Sequence, residues 1–219
     1  MAFIDIEELE QNINKELQSL ISALDREGHR IGKPNEAEEL INDLYPLIDA
    51  TPDQVGQGCL RIYTKETFLY HDLNRFLREG DRSKIDTYGS FVRLLCFCFS
   101  HPTTEEIHGK TVYRGMNLTS TMIEAYHLAQ QSGTSFRWAG FSSTSRNRQF
   151  AHKFNTNSLF IINLRKIYKQ EKKAIDISQF SVYPDEQEVL LKAGVEFTVE
   201  LVMFNEDDKK HHIYLNVYV

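Results

Sequence analysis

The sequence predicts an α+β fold, in which a helical first region precedes a mostly antiparallel sheet. Apolar residues recur at spacings of three and four along the first hundred residues, as in amphipathic helices. After residue 110, β-favouring segments follow one another with few helices between them, an order that is typical of antiparallel pairing. We therefore expect a helical region at 1–108 and a second region at 109–219, packed together as one compact unit.

Helix signals in the first region begin with a long stripe of Leu and Ile residues. Thr51, Pro52 and Asp53 form a typical helix start, because threonine caps helices, proline is tolerated in the first turn and an acid favours that turn. Gly80 and Pro102 mark two helix ends. The predicted helices cover residues 7–26, 34–45, a helix starting at 52, 66–78 and 85–99.

In the second region, short β-favouring segments are separated by turn residues. The polar segment 205–210 lies between two long apolar segments and predicts a β-hairpin. Two helices are expected, at 119–131 and 146–154. The predicted strands cover residues 111–113, 135–141, 158–164, 173–177, 188–191, 195–204 and 212–219.

Composition narrows the class of protein. The chain has 219 residues and a net charge of −6, so neither a nucleic acid nor an anionic membrane surface is the expected partner. Cys59, Cys96 and Cys98 do not form a disulfide framework or a zinc-ligand spacing, so we expect buried free thiols and no metal. No secretory signal or membrane-spanning run is visible, which favours a cytoplasmic protein or an effector exported by another route.

Two polar clusters end predicted strands. In Tyr113-Arg114-Gly115, the arginine can bind a phosphate or a carboxylate through a bidentate fork, and the glycine lets a ligand approach the backbone. A solvated or ion-paired surface arginine is the alternative. In the segment FSSTS, 141–145, at least one hydroxyl is expected to cap the following helix, although a cap needs only one. Serine-hydrolase chemistry is disfavoured, because no Gly-x-Ser-x-Gly turn surrounds these serines.

The third cluster is the pair Glu186 and Glu188. If a strand begins near Glu188, the alternation of side chains places both carboxylates on the same side. Two carboxylates on one face repel each other, so they suit a cationic substrate or a developing positive charge. A solvated acidic loop is one alternative. A glycosidase pair is another, although glycosidases normally take their two acids from separate segments.

Together, YRG, FSSTS and EQE resemble, in this order, the three motifs of the Arg-Ser-Glu class of mono-ADP-ribosyltransferases, arginine-specific type, over about residues 109–219. The segment 68–81, FLYHDLNRFLREGD, is similar to the helical portion that precedes the catalytic core in eukaryotic-type members. The resemblance implies a helical N-terminal region packed on a mostly antiparallel core of two sheets. It also implies NAD as co-substrate without a metal, and a protein or small-molecule guanidine as acceptor.

The resemblance assigns NAD binding to six positions, of which one is Glu188, described below with its catalytic role. Arg114 would hold the phosphate or ribose region of NAD, and Gly115 would bind the nicotinamide amide through its backbone. Ser143 would contact the nicotinamide-side ribose and position the catalytic glutamate, with Thr144 in support. Phe154 is expected to stack on the nicotinamide ring; core packing is the alternative for Phe154 and for the other candidate aromatic, Trp138.

The resemblance assigns catalytic roles to Arg114 and Ser143 together with the two glutamates. Glu188 would be catalytic and would stabilise the oxocarbenium-like charge that forms on the ribose as nicotinamide leaves. Glu186 would engage the acceptor, and a glutamate at that position implies arginine as the target. Water as acceptor, which gives an NAD glycohydrolase, is a second interpretation. A binding module with a decayed active site is a third, but it predicts broken motifs.

Overall fold

The computed structural model describes residues 6–101, 104–153, 155–166 and 172–219. The chain divides into two compact units. The first, called the helical unit, comprises residues up to Thr104 together with Phe180–Tyr183. The second, called the sheet unit, comprises Glu105–Gln179 and Pro184–Val219.

Helices that begin and end at recognisable signals make up most of the helical unit. The predicted start at Thr51 is confirmed, because its side chain accepts from the Gln54 backbone and the Gln54 side chain accepts from the Thr51 backbone in a capping box. The predicted end at Gly80 is confirmed by its left-handed backbone, φ 63°. The helices are α1 (Ile6–Arg30), α2 (Pro34–Leu44), α3 (Pro52–Tyr63), α4 (Phe68–Glu79) and α5 (Ile85–Ser100), with 3₁₀ turns at Tyr45–Leu47 and Arg82–Lys84.

The core of the helical unit forms around α5. This helix is buried on nearly all sides, because its sequence is apolar almost throughout, and α1 packs along it. The stripe of α1 contributes Leu17, Leu20 and Leu24, which are fully buried. All three cysteines are free and buried, as predicted. Among the described residues, no helix combines the length and apolar character of a membrane span.

The sheet unit contains short strands and two helices. The expected hairpin is confirmed, because the last two strands of the unit pair as neighbours across the turn after Asn205. The strands are β1 (Glu105–Glu106), β2 (Thr111–Met116), β3 (Phe136–Arg137), β4 (Ser142–Ser145), β5 (Ser158–Arg165), β6 (Ala174–Asp176), β7 (Glu188–Leu191), β8 (Glu196–Asn205) and β9 (Lys210–Tyr218). The helices are α6 (Ser120–Ser132) and α7 (Arg148–Lys153), and Pro184–Glu186 is a 3₁₀ turn.

The nine described strands form one sheet in the order β1-β6-β7-β4-β2-β5-β9-β8-β3. Only the β5–β9 pair is parallel among them, so the mostly antiparallel character is confirmed. The expected division into two sheets is wrong for this structure. One backbone pair, Tyr113 with Ser145, joins β2 to β4 and links the two halves into one sheet. The sequence predicts strands but not this single long-range pairing.

The two faces of the sheet carry different clusters, because successive residues of a strand point to opposite faces. One face holds a large apolar core that includes Phe160 of β5 and Ala129 of α6. The opposite face holds a smaller cluster, in which Leu159 and Ile161 pack with Ala151 of α7. Arg114 and Phe160 are partners in the β2–β5 ladder, so the arginine lies on the face of the large core.

Candidate active site

The serine strand β4 and the glutamate strand β7 lie side by side. They pair in antiparallel register, which sets Ser145 opposite Glu188 and Ser143 opposite Leu190. The start of β7 therefore lies beside the end of β4. The hydroxyl of Thr144 is buried and donates to the carbonyl oxygen of Val189 at 2.7 Å, which ties the two strands together. This pairing brings two motifs together that are more than forty residues apart in the sequence.

Glu188 is a buried carboxylate with an unusual pKa. Its residue is only 5% exposed. Burial and, to a smaller extent, the negative charge of Glu186 raise the pKa of Glu188 to about 7. A hydrogen bond from the Ser143 hydroxyl and the positive charge of Arg114 act in the opposite direction without offsetting burial. The group therefore exchanges a proton near neutral pH and stays sensitive to any cation brought beside it.

Glu186 lies in a turn rather than in the strand. It ends the 3₁₀ turn Pro184–Glu186, and Gln187 adopts a left-handed backbone with φ 49°. The expectation that strand alternation aligns the two glutamates is therefore wrong. The turn is instead fixed by the Ser145 hydroxyl, which donates to the Glu186 carbonyl oxygen at 2.6 Å, and by the Arg146 N–H, which donates to the Gln187 carbonyl oxygen at 3.1 Å. The sequence pattern alone does not contain these contacts.

Arg114 reaches the same place from β2. Its guanidinium donates to the backbone carbonyl oxygen of Ser143 at 3.0 Å, and the residue is half-buried. Its positive charge lowers the pKa of the Glu188 carboxyl. The structure thus brings together Arg114, Ser143, Glu186 and Glu188, which the sequence singled out from three separate segments. One cationic group, one hydroxyl and two carboxylates can hold an anionic and a cationic part of the same ligand.

The helix after the serine strand is capped differently from the prediction. We expected a hydroxyl of the FSSTS segment to cap it. Asn147 does so instead, because its side-chain oxygen accepts from the N–H groups of Gln149 and Phe150 at 3.0 and 3.2 Å. The Ser145 hydroxyl accepts from the Asn147 N–H at 2.9 Å, one step before the helix. The hydroxyls whose excess seemed unexplained are thus used to join strands and to fix the glutamate turn.

Gly115 is required by packing. A Cβ at this position would lie 2.6 Å from the carbonyl oxygen of Ala151, so only glycine lets α7 approach β2 this closely. Trp138 is half-buried and packs against the rings of Phe160 and Phe197, with ring centroids 6.0 and 4.8 Å away. Core packing, the alternative for Trp138, is therefore observed. Phe154, the predicted nicotinamide-stacking residue, lies outside the described residues.

Histidines without a predicted role form a second polar cluster. His152 of α7 and His212 of β9 both donate from Nε2 to one oxygen of Asp208, at 3.0 and 2.7 Å. Burial raises the pKa of Asp208, but these two hydrogen bonds outweigh it and leave the pKa below its usual value. His211 and His212 lie in β9. The cluster links α7 to the hairpin. The spacing of these residues in the sequence does not predict this contact.

Comparisons with known proteins place the chain in context. The sequence family described as NAD:arginine ADP-ribosyltransferase matches residues 53–218. The crystal structure of the ADP-ribosyltransferase HopU1 of Pseudomonas syringae pv. tomato DC3000 matches with a TM-score of 0.64 at 18% identity, over 93% of this chain and 97% of that chain. No curated protein matches the sequence.

Two further solved structures share the fold. The eukaryotic mono-ADP-ribosyltransferase ART2.2 matches with a TM-score of 0.61 at 20% identity, over 98% of this chain and 90% of that chain. Exoenzyme S from Pseudomonas aeruginosa, in complex with human 14-3-3 protein beta and bound to carba-NAD, matches with a TM-score of 0.56 at 20% identity, over 91% and 88%. The mixed fold of this chain is therefore that of the ADP-ribosyltransferases.

Proposed function

Because this chain belongs to the NAD:arginine ADP-ribosyltransferase family, we propose that it transfers ADP-ribose from NAD to an arginine guanidinium and releases nicotinamide. The observation that carries the proposal is the convergence of Arg114, Ser143, Glu186 and Glu188 at the paired ends of β4 and β7. A decayed binding module would not be expected to retain all four side chains in mutual contact or electrostatic range.

The residues of the site fit NAD by their chemistry. The dinucleotide carries phosphates at its centre and a positively charged ring at one end. Arg114 supplies a half-buried guanidinium suited to phosphate oxygens. Glu188 supplies a buried carboxylate whose pKa remains high because nearby positive charge does not offset burial, so the cationic end of NAD stabilises its ionised form. The exoenzyme S structure bound to carba-NAD supports NAD as the co-substrate of this fold.

Each residue is proposed to have the role that the family resemblance implies. Arg114 holds the phosphate or ribose region, and the backbone of Gly115 binds the nicotinamide amide. The Ser143 hydroxyl contacts the ribose on the nicotinamide side and orients Glu188, to which it already donates a hydrogen bond. Thr144 supports the site by joining β4 to β7. Phe154 is proposed to stack on the nicotinamide ring.

The two carboxylates face two different positive charges. Glu188 stabilises the charge that develops on the ribose as the bond to nicotinamide breaks, and a buried carboxylate is effective because little water screens it. Glu186 lies in the turn, is more exposed than Glu188, and can bind an incoming guanidinium through both oxygens. It also accepts the proton that the guanidinium must lose, since the pKa of a free arginine exceeds about 12.

The test is a product analysis with a small guanidine as acceptor. The protein is incubated with NAD and the guanidine, and the products are identified by mass. We expect released nicotinamide and an ADP-ribosylated guanidine. Glu186→Gln should suppress the adduct at least tenfold while some NAD cleavage remains. Asp185→Asn removes an exposed carboxylate from the same turn and serves as the matched control.

The outcomes separate the candidate acceptors. Free ADP-ribose without any adduct contradicts the transferase proposal and assigns water as the acceptor. Unchanged NAD contradicts both reactions. An equal loss of adduct in Asp185→Asn and Glu186→Gln would show that the charge of the turn matters rather than the Glu186 side chain, and would remove the acceptor role from Glu186.

A further inference from the structure

Aromatic side chains cover the sheet face beside Arg114. Arg114 and Phe160 are ladder partners, so their side chains stand next to each other on that face. The ring of Tyr126, from α6, contacts Phe160 edge-on with centroids 5.4 Å apart. The ring of Trp138 contacts Phe160 at 6.0 Å. Tyr126 and Trp138 therefore both contact the side chain that stands next to Arg114.

The phenol of Tyr126 is held in a defined orientation. Its ring also stacks on Phe197, with centroids 6.4 Å apart and an angle of 30° between the planes. The indole N–H of Trp138 donates a hydrogen bond to the Tyr126 oxygen, because tryptophan has only a donor. The Tyr126 O–H proton is then directed away from Trp138. Several ring contacts and one hydrogen bond thus fix the orientation of the Tyr126 hydroxyl. Packing of the ring alone would not require this hydroxyl.

The positive charge of Arg114 also acts on the hydroxyl group of Tyr126. Burial raises the pKa of Tyr126, while the hydrogen bond from Trp138 and the positive charge of Arg114 lower it partly. The phenol stays protonated at neutral pH and keeps its proton available for donation. A neutral donor beside a guanidinium suits a multiply charged anion, since both groups point hydrogen atoms at its oxygens.

We propose that Tyr126 is a further substrate-binding residue, whose hydroxyl donates to a phosphate oxygen of the dinucleotide held by Arg114, and that Trp138 positions this hydroxyl. The inference rests on the proposed function, because the phosphate belongs to NAD. It adds a contact from α6, an element outside the three sequence motifs. The alternative is that Tyr126 only fills the core.

The test compares ligands with and without phosphate. Tyr126→Phe removes one oxygen and keeps the ring, so the packing on Phe160 and Phe197 is retained. Dissociation constants are measured by calorimetry for NAD, for ADP-ribose and for nicotinamide riboside, which has no phosphate. We expect about tenfold weaker binding of NAD and ADP-ribose, corresponding to about 1.4 kcal/mol, and unchanged binding of nicotinamide riboside.

Two further variants complete the design. Trp138→Phe removes the N–H that orients the phenol, so it should weaken NAD binding in the same direction but by less. Tyr214→Phe removes a phenolic oxygen from the opposite face of the sheet, where Tyr214 packs with Leu159 and Ile161, and serves as the matched control. The thermal unfolding midpoint of each variant is recorded in parallel.

The outcomes distinguish this inference from the proposed function. If the unmodified protein binds NAD and Tyr126→Phe binds it equally well, the inference is wrong and the proposed function stands. If Tyr126→Phe weakens all three ligands equally, or only together with a lower unfolding midpoint, the residue acts through packing and the inference is also wrong. If the unmodified protein does not bind NAD at all, the proposed function itself fails.

Discussion

Two buried glutamates, one in each unit, have pKa values that are shifted in opposite directions. Glu27 and Glu188 are each 5% exposed. Hydrogen bonds from Arg30 lower the pKa of Glu27 to about 2 against the effect of burial, and Lys84 donates a further bond at 2.8 Å. Burial raises the pKa of Glu188 to about 7, and its hydrogen bond comes from the neutral hydroxyl of Ser143. Equal solvent exposure is therefore accompanied by pKa shifts in opposite directions.

The difference identifies which carboxylate is available for chemistry. Glu27 already forms ion pairs with two cations of its own unit, so its charge contributes to the stability of the fold. Glu188 retains most of the unfavourable free energy of a buried charge, and it gains stabilisation when a positive charge develops beside it. Hydrogen bonds from cations therefore separate these two carboxylates more clearly than their exposure does.

The largest expected effect is on turnover in Glu188→Gln. Glutamine keeps the size of the side chain and an oxygen that accepts from Ser143, but it cannot carry the charge. NAD turnover should fall about 10²- to 10³-fold, as when one electrostatic group is removed from comparable sites. The dissociation constant for NAD should change by only a few-fold. Nicotinamide release at saturating NAD and calorimetric binding provide the two measurements.

Glu200→Gln is the control for this comparison, because Glu200 is an exposed carboxylate on β8 of the same unit. Its turnover should match that of the unmodified protein. Turnover in Glu188→Gln within threefold of the unmodified value would show that Glu188 is not the catalytic carboxylate, whatever its pKa.

The next largest effect is on stability in Glu27→Gln. The change removes the anion and leaves Arg30 and Lys84 without their shared partner, so the free energy of unfolding at pH 7 should fall by about 3 kcal/mol. A lowered folded pKa gives stability that is complete above the unfolded value near 4.5 and is lost as the pH falls towards 2. Urea unfolding at several pH values measures both the loss and its pH dependence.

The matched variant is Glu10→Gln, because Glu10 is exposed on the same helix. We expect a change within about 0.5 kcal/mol there. If Glu27→Gln were no more destabilising than Glu10→Gln, the ion pairs around Glu27 would contribute nothing beyond the energy of burying them, and its low pKa would not mark a structural role.

Local signals allowed much of the helical unit to be predicted. The capping box at Thr51 and the left-handed Gly80 are short-range features whose partners lie within a few residues. The joining of β2 to β4 was missed, because one backbone pair between Tyr113 and Ser145 decides it. Likewise the sequence favours a hydroxyl as the cap of α7, whereas the side chain of Asn147 accepts from its first N–H groups.

The four residues that the motifs singled out lie together in the structure, but the sequence does not predict their electrostatic properties. The order of the three motifs singled out Arg114, Ser143, Glu186 and Glu188. The pKa of Glu188 depends on burial by distant residues, which no local pattern contains. The left-handed Gln187 and the contact from Ser145 to the turn also arise only in the folded chain. Tyr126 belongs to a helix outside the three motifs, so its position near Arg114 could not be predicted from the sequence.

The smallest expected effect is on the stability of Glu188→Gln, and its sign is opposite to that at Glu27. A carboxyl whose folded pKa is about 7 and whose unfolded pKa is near 4.5 favours the folded state below the lower value, and that stability is lost as the pH rises through the higher one. Glutamine has no charge to bury. The variant should therefore gain stability relative to the unmodified protein, by about 2 kcal/mol more at pH 8 than at pH 5. Urea unfolding at the two pH values measures the difference, with Glu200→Gln as the reference for an exposed carboxylate. A gain at pH 8 combined with the loss of turnover would show that the same unfavourable burial serves catalysis, whereas a loss of stability at pH 8 would mean that Glu188, like Glu27, is held by partners that stabilise its charge.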